Sequence, residues 1–414
     1  MELPVNKGII NIAILLSIAL ITATIIYPVL QPKSSSSVST YFYNAADDTS
    51  QDGCNIFTGE WVPDPDAPYY TNNTCWAIHE HQNCMKYGRP DSDFIKLKWK
   101  PDGCDLPAFN PSHFLNTLRD KSMAFVGDSV GRNQMQSMIC LLSKVEYPID
   151  DSPTSDEQFK RWKYPNYNFT LEYFRSPFLV RSEERDPDGP THTGLFNLHL
   201  DEFDESWTSH IDSVDYLIIN AGHWFTRPAV YYENRRVAGC HFCQIPNATD
   251  LPVSHAYRRA IRTAIRAVSG RRSFGGAAIL RTFAPSHFEG GLWNEGGDCV
   301  RRRPFRRDEA ILEGLDLDLY MIELEEFRGV EKLGKKRWRL MDTTQAMVMR
   351  PDGHPSKYGH WPNQNVTLYN DCVHWCLPGP IDNWAQMLQH MILLEARRDY
   401  KDGLSKIQSH KKMQ

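Results

Sequence analysis

Short apolar runs alternate with amphipathic segments from residue 123 to residue 396. The candidate strands are 123–126, 214–220, 277–283 and 339–342. The segments with apolar residues at helical spacing are 132–142, 257–268 and 381–396. Because buried strands that alternate with helices are typical of sheets covered on both faces, this pattern predicts an α/β fold with a mostly parallel sheet.

Three candidate functional segments lie at the carboxyl ends of these candidate strands. They are 128–133, 220–224 and 284–288. In open parallel sheets, ligands bind beyond the carboxyl ends of the strands. The pattern therefore predicts one functional site to which all three segments contribute.

The first of these segments contains a serine in a tight turn. Ser129 follows Gly127-Asp128 and precedes a predicted helix, so its hydroxyl is expected above the sheet and its N–H at a helix N-terminus, which favours an oxyanion. Asp371 and His374, just before the last predicted helix, offer a general base and its orienting acid. Either motif alone is also typical of ordinary structure, such as a helix cap. Together they predict a nucleophilic serine site.

The N-terminal residues predict a membrane anchor. The stretch 8–30 is uncharged and apolar, and as a helix it would span about 35 Å, enough to cross a bilayer. We expect residues 1–7 in the cytosol, a transmembrane signal anchor at 8–30 and a flexible stem at 31–53. A cleaved signal peptide, which would give a secreted protein, is the alternative.

Composition and charge narrow the class of protein. The chain has 46 Lys and Arg against 51 Asp and Glu, and 41% of its 414 residues are apolar. These values argue against a disordered chain, a protein with many membrane spans and a nucleic-acid-binding protein. Ten cysteines and four Asn-x-Thr triplets indicate the oxidising lumen of the secretory pathway. The expected glycosylation sites are Asn72, Asn168, Asn247 and Asn365.

A closely spaced cysteine pair and two basic runs each allow both a structural and a ligand-binding interpretation. Cys240 and Cys243 have the spacing of a zinc-binding pair, but no second ligand pair has suitable spacing, so no metal is expected. The basic runs 258–272 and 301–307 are expected on solvated surfaces, and a contact with an acidic polysaccharide is the alternative.

Several motifs together resemble the plant trichome birefringence-like family of Golgi polysaccharide O-acetyltransferases. The two motifs that carry the most weight are Phe125-Val-Gly-Asp-Ser-Val-Gly-Arg-Asn-Gln134 and Asp371-Cys-Val-His-Trp-Cys-Leu-Pro-Gly-Pro-Ile-Asp382. Further matching segments are 54–63, 87–94 and 349–355. Residues 220–225 and 239–243 look most like the members of the family that act on xyloglucan.

The resemblance implies an SGNH-hydrolase-like, three-layer α/β/α catalytic domain at 105–397. A Cys-rich subdomain at 54–104 would precede this domain, and a tail at 398–414 would follow it. Ser129 would be the nucleophile, His374 the general base and Asp371 the residue that orients His374. The implied disulfides are Cys54–Cys104, Cys75–Cys140, Cys84–Cys376, Cys299–Cys372 and Cys240–Cys243.

Other residues are candidates for substrate contacts. Arg132 and Asn133, one turn beyond Ser129, and Gly222 could line an oxyanion hole. Four tryptophans could stack on sugar faces, although packing in the core is the alternative for each of them. They are Trp224, Trp293, Trp375 and Trp384. His223 and His287 are expected to be structural, and residues 352–355 are expected to form a turn.

The family resemblance implies a type II Golgi membrane protein whose catalytic domain lies in the lumen. It would move an acetyl group through a Ser129 acetyl-enzyme onto hydroxyls of a hemicellulose, with xyloglucan as the expected acceptor. The donor would be acetyl-CoA or an acetylated intermediate, with a membrane protein as its supplier, and no bound cofactor is expected. The alternatives are transfer to xylan or mannan, a carbohydrate acetyl esterase, and a non-catalytic protein that binds wall polysaccharide.

Overall fold

The computed structural model describes residues 54–185, 194–243, 245–332, 338–361 and 369–396. The expected anchor, stem and C-terminal tail, and the expected glycosylation site Asn365, lie outside these residues. Within these residues, no helix is both long and apolar enough to cross a membrane.

The described chain forms a mixed α/β fold. Its strands are β1 (Gly59–Pro63), β2 (Leu97–Pro101), β3 (Ser122–Gly127), β4 (Ile149–Asp150), β5 (Phe159–Tyr164), β6 (Phe169–Arg175), β7 (Val180–Glu184), β8 (Phe196–Phe203), β9 (Tyr216–Ile219), β10 (Ala229–Glu233), β11 (Arg236–His241), β12 (Ala277–Arg281) and β13 (Trp338–Met341). Its helices are α1 (Pro111–Thr117), α2 (Ser129–Leu142), α3 (Glu205–Thr208), α4 (Val253–Gly270), α5 (Gly314–Lys332), α6 (Thr344–Val348) and α7 (382–396).

The central sheet has the order β13-β12-β9-β3-β6-β5-β4. Its first five strands are parallel, and β5 and β4 extend it in antiparallel fashion. Consecutive side chains of β3 point to opposite faces, and Met123 to Val126 are all fully buried, so both faces of the sheet are covered. The four predicted strands correspond to β3, β9, β12 and β13, which confirms the prediction of a mostly parallel sheet.

The strand order creates a crevice at the position of Ser129. After β3 the chain crosses to the edge strand β4 and returns through β5 to β6, which lies beside β3. It then crosses to β9 on the other side of β3. The connections that leave β3 and β9 therefore diverge, and such a switch point is where doubly wound sheets bind ligands. Ser129 follows β3 directly, and residues 220–224 follow β9.

A second sheet, which the sequence did not predict, has the order β11-β10-β8-β7. Helix α4 packs against β8 and against helix α5. The apolar face predicted for residues 257–268 is buried, including Tyr257, Ile261 and Val268. The opposite face carries arginines that pair with acidic residues: Arg259 with Glu233, and Arg258 and Arg262 with Glu326.

The Cys-rich N-terminal segment folds as the antiparallel hairpin β1–β2 with irregular loops between the strands. Trp99 in β2 is buried, and its backbone N–H donates to the side-chain oxygen of Asn383 at 2.9 Å. The Tyr70 hydroxyl likewise donates to Asp382 at 2.7 Å. This segment is therefore fastened to the start of helix α7.

Five disulfides join all ten cysteines. They are Cys54–Cys104, Cys75–Cys140, Cys84–Cys376, Cys240–Cys243 and Cys299–Cys372. These are the pairs that the family resemblance implied. Because Cys240 and Cys243 bond to each other, they offer no thiolate to zinc.

Candidate active site

The turn that presents Ser129 depends on two glycines. Gly127 has φ +154°, and a Cβ there would lie 2.1 Å from the backbone oxygen of Asn220. A Cβ on Gly131 would lie 2.5 Å from the Asn220 side-chain nitrogen. Asp128 caps helix α2 by accepting the N–H of Val130 at 3.0 Å. Ser129 is thus the first residue of a capped helix, held close to the end of β9, and its side chain is half-buried.

Asp371 and His374 form a hydrogen-bonded pair. One carboxylate oxygen of Asp371 lies 2.8 Å from His374 Nδ1, and the other accepts the N–H groups of Val373 and His374 at 3.1 and 2.9 Å. These contacts fix the imidazole so that Nδ1 is engaged and Nε2 faces away from the carboxylate. His374 Nε2 is buried and has no hydrogen-bond partner among the described residues.

The pair is electrostatically suited to base catalysis. Burial alone would lower the pKa of His374, but the charge and hydrogen bond of Asp371, with the charge of Asp128, raise it above 6.5. Burial would in turn raise the pKa of Asp371, but His374 and the two backbone N–H groups hold it well below its usual value. Asp371 therefore stays ionised while His374 gains basicity.

Covalent and backbone bonds clamp the loop that carries this pair. The disulfides of Cys372 and Cys376 anchor the loop on both sides of His374. Ser356 exchanges two backbone hydrogen bonds with Asp371, at 2.8 and 3.0 Å. The imidazole of His374 is therefore held in a fixed position by the fold itself.

Asn133 joins the helix of Ser129 to the loop of His374. Its side-chain oxygen accepts the N–H of Trp375 at 2.8 Å, and its side-chain nitrogen donates to the Trp375 carbonyl at 3.3 Å. The residue is fully buried. The structure thus corrects the oxyanion-hole prediction for Asn133, because both of its polar atoms are engaged by backbone and hold the two halves of the site together.

For Arg132 and Gly222, the oxyanion-hole assignment stays a prediction. Arg132 has a buried Nε without a hydrogen-bond partner among the described residues, and its charge lowers the pKa of His374. Gly222 lies three residues beyond β9 with φ +148°, and a Cβ there would lie 2.3 Å from the Phe283 ring. Asn220, which sequence reasoning did not single out, lies buried between Gly127 and Gly131.

Two of the four candidate sugar-stacking tryptophans are in the core. Trp375 and Trp384 are both fully buried. Trp375 stacks on the His354 ring with centroids 4.1 Å apart, and Arg281 lies over Trp384. The stacking prediction is wrong for these two, since no polymer can reach a buried ring.

The other two tryptophans remain accessible. Trp224 is half-buried, with the guanidinium groups of Arg175 and Arg227 over its ring at 4.8 and 4.2 Å. Trp293 is 54% exposed and packs edge-on against Tyr369. Both rings retain an accessible surface.

Three other histidines, which are buried or half-buried, each place a ring nitrogen against a backbone carbonyl. His223 Nε2 donates to the Ala284 carbonyl at 2.9 Å, as expected for a structural histidine. His287 Nε2 contacts the Val348 carbonyl at 3.0 Å, which is again structural. His354, which the sequence assigned only to a turn, places Nδ1 2.7 Å from the His374 carbonyl. The described residues contain no group of three or more His, Cys, Asp or Glu that could hold a metal ion.

Loss of the Asn133 contacts should affect both the stability of the protein and the reactivity of Ser129, whereas loss of a neighbouring hydrogen bond should affect stability alone. Asn133→Ala leaves the buried N–H and C=O of Trp375 unpaired, so we expect a loss of about 2 kcal/mol in the free energy of unfolding and a clear fall in the rate of Ser129 acylation. Ser137→Ala is the matched control, because Ser137 lies one turn further along α2 and bonds to Asp382 instead. It should lose stability without a comparable loss of rate. Equal losses of rate in the two variants, compared by stopped-flow acylation, would contradict the role of Asn133.

The fold and the site together define an α/β protein of the GDSL/SGNH-like class, with a serine at the switch point and an Asp–His pair on the loop fastened to its helix. Residues 106–391 match the GDSL/SGNH-like acyl-esterase family found in Pmr5 and Cas1p. Residues 52–105 match the PMR5 N-terminal domain.

Whole-chain similarity agrees with these matches. Protein trichome birefringence-like 19 of Arabidopsis thaliana is 56% identical over 413 residues, covering 96% of each chain. Xyloglucan O-acetyltransferase 4 of Populus trichocarpa is 42% identical over 341 residues, covering 82% of this chain and 80% of that protein. Xyloglucan O-acetyltransferase 2 of A. thaliana is 40% identical over 345 residues, covering 82% of each. The chain belongs to the trichome birefringence-like family of GDSL/SGNH-like proteins, which confirms the resemblance.

Proposed function

We propose that this protein is a Golgi O-acetyltransferase that moves acetyl groups onto hydroxyls of a hemicellulose, with xyloglucan as the acceptor. The observation that carries the proposal is His374, whose Nδ1 is fixed by Asp371 and whose unpartnered Nε2 lies in the loop that Asn133 fastens to the helix of Ser129. Relatives named xyloglucan O-acetyltransferases support the choice of reaction and acceptor.

The first half of the reaction loads the serine. His374 Nε2 takes the proton of Ser129, and Oγ attacks the carbonyl carbon of the acetyl donor. The oxyanion lies at the N-terminus of α2, where the Ser129 N–H and the unpaired Arg132 Nε can donate to it. The bond to the leaving group then breaks, the leaving group takes the proton from His374, and acetyl-Ser129 remains.

The second half unloads the serine onto sugar. His374 removes the proton of a sugar hydroxyl, and the resulting oxygen attacks the acetyl carbon. The bond between the acetyl carbon and Ser129 Oγ breaks, and Oγ recovers its proton from His374. Water competes at this step, so the acceptor must be positioned where water is excluded.

The cellular setting is part of the same proposal. Residues 8–30 anchor the protein in the Golgi membrane, and the catalytic domain faces the lumen, where acetyl-CoA or an acetylated intermediate, delivered by a membrane protein, is the donor. Disulfides throughout the chain fit an oxidising lumen. Asn168 and Asn247 are exposed and Asn72 is half-buried, so these proposed glycosylation sites lie at the surface of the protein.

The test is mass spectrometry of the purified protein incubated with 4-nitrophenyl acetate, with and without xyloglucan oligosaccharide. We expect acetyl on Ser129 that is discharged onto the oligosaccharide, and less discharge onto matched xylan and mannan oligosaccharides. Discharge only to water would identify an esterase instead. Polymer binding without any acetyl-Ser129 would identify a binding protein.

The pKa of His374 predicts the pH dependence of serine acylation. Protonated His374 cannot accept the Ser129 proton, so the rate should rise with pH as the imidazole loses its proton. Because the pKa of His374 is raised, the midpoint of this rise should lie above 6.5. Asp128→Asn keeps an oxygen for the helix cap but removes one charge that raises this pKa, so it should move the midpoint to lower pH. A midpoint that this variant leaves unchanged, measured from 4-nitrophenyl acetate bursts, would contradict the assignment.

A further inference from the structure

His79 belongs to the Cys-rich N-terminal segment, yet it is held against the loop of the catalytic base. It directly precedes the 3₁₀ turn Glu80–Gln82, and the Gln82 carbonyl accepts the N–H of Leu377 at 2.9 Å. Two residues beyond this turn, the disulfide Cys84–Cys376 makes the connection covalent. The backbone around His79 is therefore fixed to residues that lie only two and three positions beyond His374.

Three segments that are bonded to one another here each bury a polar atom without a partner. These atoms are Nδ1 of His79, Nε of Arg132 and Nε2 of His374, and none has a hydrogen-bond partner among the described residues. Native proteins rarely bury such atoms unless a ligand or water completes them. Each atom comes from a different part of the chain: the N-terminal segment, helix α2 and the catalytic loop.

The charge of Arg132 lowers the pKa of both His79 and His374, and the charge of His374 also lowers that of His79. Burial, together with the charges of Arg132, His81 and His374, lowers the pKa of His79 to about 4. His79 is therefore neutral at neutral pH. A neutral imidazole can both accept and donate a hydrogen bond, as a sugar hydroxyl does.

We propose that His79 is a substrate-positioning residue that the N-terminal segment contributes to the active site, where it hydrogen-bonds a hydroxyl of the acceptor sugar. This inference rests on the proposed acetyltransferase function. The attacking hydroxyl must lie at His374 Nε2, and the acetyl oxygen lies near Arg132. His79 Nδ1 is then left for a neighbouring hydroxyl of the same sugar. This hydrogen bond would fix how the sugar ring is oriented.

The proposal separates the two half-reactions. Acylation of Ser129 by 4-nitrophenyl acetate involves no sugar, so His79→Ala should keep the wild-type burst rate within about twofold. Transfer from acetyl-Ser129 to a xyloglucan oligosaccharide should need about tenfold more oligosaccharide for half-maximal rate, the effect of losing one hydrogen bond. His79→Gln, which retains a donor and an acceptor, should restore part of this loss.

A matched control lies two residues away. His81 is exposed, belongs to the same turn and has its ring 5.3 Å from that of His79, so His81→Ala should behave as the wild type in both half-reactions. A His79→Ala variant with wild-type dependence on oligosaccharide would overturn the proposal. An equal fall in burst rate and transfer would also overturn it, because His79 would then support the whole site. Absence of transfer by the wild type, despite acetylated Ser129, would instead refute the proposed acetyltransferase function.

Discussion

Ser129→Ala should reduce acetyl transfer by about 10⁶-fold, to below detection, because the proposed acetyl-enzyme cannot form without the Ser129 hydroxyl. The variant should still fold, since the Asp128 cap and both glycines of the turn are unchanged and Ser129 itself is only half-buried. Mass spectrometry after incubation with 4-nitrophenyl acetate should then find no acetyl on the peptide that contains residue 129.

The same experiment distinguishes the serine from its neighbours. Asp371→Asn should retain a slow burst on Ser129, reduced by about 10⁴-fold, because the nucleophile is present but its base is no longer oriented. Transfer by Ser129→Ala at a rate similar to that of Asp371→Asn would show that another group carries the acetyl. Far-UV circular dichroism that matches the wild type is the control for folding in both variants.

Removal of Cys84–Cys376 should have the largest effect on stability among the disulfides. The bond closes a loop with a sequence separation of 292, and in the chain-entropy treatment of a disulfide this corresponds to about 6 kcal/mol in the free energy of unfolding. The double variant Cys84→Ser/Cys376→Ser should therefore unfold at much lower denaturant concentration. It should also lose acylation rate, because the loop of His374 loses one of its two covalent anchors.

Cys240–Cys243 supplies the comparison. Its cysteines are separated by 3 positions, so the same treatment gives only about 2 kcal/mol, and the bond lies in the second sheet rather than beside His374. Cys240→Ser/Cys243→Ser should therefore keep the wild-type acylation rate with a smaller loss of stability. Similar denaturation midpoints and similar rates for the two double variants would contradict the clamping role of Cys84–Cys376.

The sequence predicted the parallel core because its strands are continuous apolar runs. Residues 123–126 are all buried in β3, and such a run has few other structural explanations. Strand β6 was missed because it contains Glu172, a buried carboxylate that pairs with Arg161 on the neighbouring strand. The second sheet was missed for a related reason: only one of the five residues of β7, Val180, is buried, so the strand has no apolar run.

The residue types predicted most of the candidate site. The prediction failed where contacts between residues far apart in the sequence determine what a side chain does. Ser129, Asp371 and His374 belong to motifs whose chemistry is readable locally, and the structure forms the Asp371–His374 hydrogen bond. Asn133 was assigned to an oxyanion hole, because its bond to Trp375 links residues 242 positions apart and no local pattern announces it. Trp375 was predicted to stack on a sugar for the same reason, since the His354 ring on which it stacks lies in another loop.

The arginine pairing on helix α4 extends to most of the basic residues that the sequence places in two runs. The further pairs are Arg271–Asp212, Arg301–Glu289, Arg303–Glu309, Arg306–Asp308 and Arg307–Asp102. A paired arginine contributes little field at a distance, so these surfaces do not attract polyanions as an unpaired basic stripe would. Under the proposed function, the protein would therefore not be retained on acidic polymers and would stay free to sample neutral chains.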